Sequence, residues 1–217
     1  MQKKHIVVIG ARTLGLSIIK QLSNYNCEVL AIDKDMKKVE EADKYATHAI
    51  QVNTNQPEKI ESVSLNTFDV AIVTVDDIEE SIMLSLILKE SGIPMVIVKA
   101  SNETHKKILE KIGVDRVISP EAEIGIKLAK TIMNESVIDA INFSDDYSII
   151  EIQALEKWVG KPLNKLLLRE TYGINILCVK HENKELTISP EQDYTIQAKD
   201  VLVVIADNKK IEGTELI

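Results

Sequence analysis

Between Met1 and Ile118 short apolar runs alternate with segments of helical period, and that beat limits the possible fold more than any other feature. His5–Ile9 has the unbroken apolar character of a strand buried on both faces. Leu14, Ile18, Ile19 and Leu22 follow at the spacing of one helical face. Further strands are expected at Glu28–Ile32, Ala49–Val52, Val70–Val75, Met95–Val98 and Arg116–Ile118. Helices are expected between them at Lys37–Tyr45, Pro57–Val63, Glu79–Ser91 and Asn102–Ile112. Strands and helices that take turns in this way predict an α/β fold with a doubly wound parallel sheet.

The pattern changes after Pro120. Glu121–Asn134 has the spacing of one longer helix, and Asn142–Tyr147 reads as a polar break. Short strands with a helix between follow, at Ser148–Ala154, Leu163–Arg169, Ile174–Lys180, Leu186–Ser189 and Val201–Ala206. A second, smaller α+β domain is therefore expected, with the boundary near residues 136 to 146. This divides the 217 residues into 1–140 and 141–217.

Composition excludes several classes. Apolar residues make up 45% of the chain and charged ones 28%, enough for a real core and for solubility. The longest apolar stretch, Ile82 to Val98, is broken by Lys89, Glu90, Gly92 and Pro94, so no membrane span is expected. The apolar run after Lys3, Lys4 and His5 is too short for a signal peptide, and a cytoplasmic location is expected. A net charge of −8 with scattered lysines argues against nucleic acid and against an anionic membrane surface. Cys27 and Cys178 lack any partner spacing and read as two buried thiols. His5, His48, His105 and His181 form no local pair with a Ser, Cys or carboxylate, so no catalytic residue is expected. The alternative class is an NAD-dependent oxidoreductase or soluble redox sensor, which would need a proton donor in the second half.

The site signal is Gly10-Ala11-Arg12-Thr13-Leu14-Gly15 after the first strand, with Asp33 ending the second. A Rossmann-type turn needs small residues, because the backbone must turn tightly and bring helix N–H groups to a pyrophosphate. Asp33, 18 residues beyond Gly15, stands where a carboxylate bonds ribose hydroxyls. Arg12 occupies the place of the usual middle glycine; the structural alternative is a strand-to-helix turn that holds no ligand. Asp35 competes for the acidic role but reads better as a helix cap. Asn53, Thr54 and Thr74 sit at the carboxyl edge of the sheet, where they either meet adenine and ribose or cap helices.

With those residues in place, the chain resembles the Trk/Ktr family of potassium-transport regulators, with an RCK-N (TrkA-N) domain followed by an RCK-C (TrkA-C) domain. The resemblance rests on the glycine turn, Val29-Leu30-Ala31-Ile32-Asp33, Tyr45-Ala46-Thr47-His48-Ala49, Ile97-Val98-Lys99-Ala100, and the run from Leu109 to Glu121. In the second half it rests on Arg169-Glu170-Thr171-Tyr172-Gly173 and Ser189-Pro190. It implies a non-catalytic cytosolic subunit, dimeric up to an octameric ring, that gates a membrane-embedded potassium-translocating partner. ATP, ADP or NAD(H) would bind the first domain at Gly10–Gly15 and Asp33, with Lys34 and Lys99 in the same set. Glu121 corresponds to an acidic residue that can hold a divalent cation, Mg2+ or Ca2+; the alternative is a first-turn carboxylate on a helix. Cyclic di-AMP would bind the second domain, with Arg169 and Asn175 on phosphate or base and Ile174, Ile176 and Pro190 as its apolar wall. The phosphate-reading arginine of the family falls at Thr13 here, so Arg12 either serves the phosphates from a shifted backbone or obstructs them.

Overall fold

The computed structural model describes residues 3–133, 137–142, 144, 146–211, 214 and 216. The chain divides into two compact units, Met1–Pro120 and Glu121–Ile217.

The first unit runs β1 (Lys4–Ile9), α1 (Thr13–Leu22), β2 (Cys27–Asp33), α2 (Met36–Asp43), β3 (His48–Gln51), α3 (Pro57–Glu61), β4 (Val70–Val73), α4 (Ile78–Glu90), β5 (Met95–Lys99), α5 (Glu103–Ile112) and β6 (Arg116–Ile118). Its six strands lie in the order β3-β2-β1-β4-β5-β6, and every pairing is parallel. The apolar run of β1 has a physical reason: alternate side chains serve two cores. Val7 and Ile9 pack with Ala71, Val73, Val96, Val98 and the α4 residues Leu84 and Leu88. Ile6 and Val8 pack on the opposite face with Val29, Ala31, Leu16 and Ile19. The strand order reverses direction between β1 and β4, which opens a crevice at their carboxyl ends. Local chemistry sets the helix starts. The carboxylates of Asp35 and Asp77 accept the N–H groups of Lys37 and Glu80 at 2.9 and 2.8 Å, and α5 ends at Gly113 with φ of 86°.

The second unit holds α6 (Pro120–Met133), β7 (Val137–Asn142), β8 (Tyr147–Gln153), α7 (Leu168–Tyr172), β9 (Ile174–Lys180), β10 (Leu186–Ile188), β11 (Val201–Asp207) and α8 (Asn208–Ile211). An antiparallel sheet in the order β10-β9-β11-β8-β7 carries one core face. Ile150, Ile152, Leu202, Val204 and Ala206 alternate inward from β8 and β11 against Trp158, Leu168, Tyr172, Ile196 and Ile211.

Two sequence readings change here. The stretch expected to be a break between domains contains β7, which pairs with β8. Leu163–Arg169 is no single element: a 3₁₀ turn at Leu163–Lys165 leads to α7, and Leu167 between them has φ of 47°.

Candidate functional site

The glycine turn joins β1 to α1 at the point where the sheet changes direction. Gly10 adopts φ of 96°, which an L side chain rarely does. A methyl group on Gly15 would lie 1.8 Å from the Gly10 carbonyl oxygen, so only glycine lets the helix pass that close. Thr74 braces the turn from β4, its hydroxyl donating to the same carbonyl at 2.6 Å. Asp33, buried at the end of β2, accepts the Ala11 N–H at 2.7 Å and the Asp35 N–H at 2.9 Å. Its carboxylate is thus aimed at the turn, with lone pairs left for a further donor. Arg12 is the N-cap residue of α1 but supplies no capping side chain, and no acidic residue occupies the first turn.

Above the turn lies a cleft of ≈ 330 Å³. Five of the sequence candidates line it: Gly10, Arg12, Asp33, Lys34 and Thr54. Ala11, Gly15 and Thr74 are not among its lining residues, though each takes part in the contacts that hold the turn. Lys99 reaches it through Asp76, whose Oδ1 its ammonium contacts at 2.7 Å. Thr13 and Leu14 are the first α1 residues, and neither lines the cleft. Asn53 is exposed, and its side chain accepts the Asn55 N–H instead. Asp35 caps α2.

The cleft also has four lining residues that sequence reasoning missed: Val75, Asp76, Asp77 and Glu80. The available signal was Asp76-Asp77 three residues past the end of β4, at the sheet's carboxyl edge. Asp76 bonds the Arg12 guanidinium at 2.8 Å through Oδ2 and Lys99 through Oδ1. The Lys99 hydrogen bond holds its carboxyl below the usual carboxylate range, against the effect of burial and with help from the charges of Lys99 and Arg12. Glu80 is buried, pairs with Lys34 at 2.7 Å and takes the Thr54 hydroxyl on its other oxygen.

In the second unit a cleft of ≈ 490 Å³ gathers Arg169, Ile174, Asn175, Ile176 and Pro190, the five candidates expected there. Asn164, Leu167, Glu170 and Gln192 line it as well. Arg169 and Asn175 are exposed, whereas Ile174 is buried in the core below.

Residues 6–120 match the TrkA-N domain and residues 147–215 the TrkA-C domain. The chain belongs to the Trk/Ktr family of potassium-uptake regulators. It is 38% identical to Ktr system potassium uptake protein A of Bacillus subtilis (strain 168), over 99% of this chain and 97% of that protein. Protein C of the Ktr system in the same organism is also 38% identical, over 98% and 96% respectively. The GsuK RCK domain shares the fold, with a TM-score of 0.67 at 16% identity; this chain is covered in full and spans 48% of that one.

Other residues of this Trk/Ktr chain stand as follows. Glu121 is exposed in the first turn of α6, and among the described residues no group of three or more His, Cys, Asp or Glu gathers as a cation site. No helix among the described residues is long and apolar enough to cross a membrane. Cys27 and Cys178 are free but only half-buried, and Cys27 lies 3.3 Å from the Leu22 carbonyl, so the expectation of buried thiols is corrected. His181, without a partner in its local sequence, finds two across the sheet: Asp200 at 2.9 Å on Nδ1 and Thr187 at 2.8 Å on Nε2. Asp200 also accepts from the Tyr194 hydroxyl at 2.6 Å and the Gln197 N–H at 2.8 Å, which ties the hairpin to the start of β11.

Proposed function

We propose that this chain is a cytosolic gating subunit that binds an adenine nucleotide in its first unit and thereby controls a membrane-embedded potassium-translocating partner. The observation that carries the nucleotide reading is the Asp33 carboxylate, which is fixed against the glycine turn at the switch point of a parallel sheet. There a ribose would meet Asp33, and a pyrophosphate would meet the uncapped N–H groups of α1. The Ktr relatives, similar over nearly their whole length, support the potassium partner and the location beside a membrane. The GsuK structures, one of them bound to NAD and another to ADP, have the same fold, and both ligand classes suit the cleft as we read it. Nucleotide acts as a switch only by binding two conformations of the assembly unequally. We read the cleft as non-catalytic, since Asp76 and Glu80 are held in ion pairs rather than poised for proton transfer.

The second cleft is proposed to take cyclic di-AMP, with Arg169 offering paired donors to phosphate. Glu121 is proposed to contribute one ligand to a divalent cation shared between subunits.

Calorimetric titration of adenine nucleotides tests the first reading. Asp33→Ala should weaken binding by about 1.5–3 kcal/mol, the worth of a charge-assisted hydrogen bond. Because Asp33 also accepts two backbone N–H groups, the thermal transition of the variant is measured alongside. A folded Asp33→Ala protein that binds every adenine nucleotide as well as the parent overturns the ribose assignment.

A further inference from the structure

Among the described residues, each cation that lines the first cleft, Arg12 and Lys34, is held by a carboxylate of this chain, and so is Lys99 behind it. Arg12 Nη1 lies 2.8 Å from Asp76 Oδ2, and Lys99 Nζ lies 2.7 Å from Asp76 Oδ1. Lys34 lies 2.7 Å from Glu80, which is almost fully buried. Asp77 fills the N-terminus of α4 by accepting the Glu80 N–H. Among the lining residues two cations, Arg12 and Lys34, therefore stand among four carboxylates, Asp33, Asp76, Asp77 and Glu80. Adding Lys99 makes three against four.

We propose that Asp76 sets the ligand class of this cleft, favouring an adenosine dinucleotide with an internal pyrophosphate over a nucleoside polyphosphate with a terminal phosphate. The inference rests on the reading that the cleft holds an adenine nucleotide. A phosphate inside a pyrophosphate diester carries one negative charge, which the α1 N–H groups can neutralise, since no acidic side chain occupies that turn. A terminal phosphate carries nearly two charges at neutral pH. To gain the Arg12 guanidinium it must displace Asp76 or share the guanidinium beside it. Displacement leaves Asp76 and the buried Lys99 to rearrange, while sharing puts like charges a few ångströms apart. The Arg12 side chain is 66% exposed, so water weakens its pairing with Asp76. Lys99, only 10% exposed, is what keeps Asp76 in place and ionised. Asp76 thus acts as a resident anion on the ground that a terminal phosphate would occupy.

The test is calorimetric titration of the full chain with NAD+, AMP and ATP in the presence of EDTA, for the parent and for Asp76→Asn. The parent is expected to bind NAD+ more tightly than ATP. Asp76→Asn should tighten ATP by about tenfold or more and change NAD+ by less than about threefold. Because Asp76→Asn removes the carboxylate that Lys99 contacts at 2.7 Å and can lower stability, the parent is also titrated with ATP in Mg2+. The metal offsets the extra charge, so ATP affinity should rise by about tenfold while NAD+ affinity stays level. The proposal falls if the parent prefers ATP to NAD+ in EDTA. It falls equally if a folded Asp76→Asn keeps the parental ATP-to-NAD+ ratio, or if Mg2+ leaves ATP affinity unmoved. If neither protein binds any of the three, the nucleotide reading itself is wrong and the proposal goes with it.

Discussion

A methyl group at Gly15 has nowhere to go, because the Gly10 carbonyl oxygen and the Thr74 hydroxyl lie 1.8 and 2.6 Å from where it would sit. Gly15→Ala should therefore lower the unfolding free energy by about 2–4 kcal/mol, as overpacking a buried backbone crossing does; denaturant titration checks it. His105 offers a second test. It is buried on α5, its Nδ1 accepts the Ser101 N–H at 3.2 Å, and among the described residues its Nε2 has no hydrogen-bond partner. Burial lowers its pKa from the ordinary value. The unfolded chain therefore takes up a proton at a higher pH than the folded one. Stability should be complete above about pH 6.5 and decline as the pH falls below it. His105→Gln, which can still accept from Ser101, should shrink the difference in denaturation midpoint between about pH 7.5 and about pH 5.5. An undiminished difference would show that another group is responsible. At Asp200, burial opposes ionisation, yet bonds from Tyr194, Gln197 N–H and His181 hold its carboxyl below the usual range. Its contribution should persist at mild acidity and vanish only as the pH drops well below about 3.9.

Among the elements, α6 stands apart. Ile124, Leu128 and Ile132 recur at helical spacing and are 64%, 57% and 68% exposed. An apolar stripe of that kind marks an interface, and a second copy of this chain is the proposed partner. Leu128→Asp should leave the fold intact and weaken self-association by about 2 kcal/mol or more. Light scattering at tens of micromolar would show smaller species; a parent that is already monomeric would overturn the assembly proposal. The sequence made α6 and the six strands of the parallel sheet legible, because buried parallel strands are unbroken apolar runs and their helices keep a clear period. It hid β7, whose Val137-Ile138-Asp139-Ala140-Ile141-Asn142 mixes polar and apolar residues as an edge strand can. In the cleft, Gly10 and Asp33 could be found from spacing alone. Asp76 and Glu80 could not, because their partners Arg12, Lys99 and Lys34 lie far away in sequence. Carboxylates at the start of a helix look like caps, and Asp77 is one.

The first unit carries a core on each face of its sheet, and the second unit has a core of its own. Two ligands should therefore act on two parts of the melting curve. A nucleotide at about one hundred times its Kd should stabilise the first unit by about 2.7 kcal/mol, and cyclic di-AMP should stabilise the second similarly. Scanning calorimetry of the full chain, with each ligand in turn and then both, would resolve the transitions. A single transition raised equally by either ligand would mean that the units unfold as one. Replacing Arg169 by Ala should abolish the cyclic di-AMP shift and leave the nucleotide shift unchanged.

Gly10 is fixed by its φ of 96° and by the Thr74–Val75 backbone beside it, and Gly15 by the Gly10 carbonyl, so the fold alone already demands both. Descendants of this chain that had ceased to sense anything would still inherit both glycines, because the first crossover of the sheet cannot be made without them. Mutational drift would surface elsewhere, at Arg12 and Lys34, whose exposed heads are held by ion pairs across the cleft. Across a lineage, the glycines record ancestry of the fold, and the charged pairs record whether a messenger is still being read.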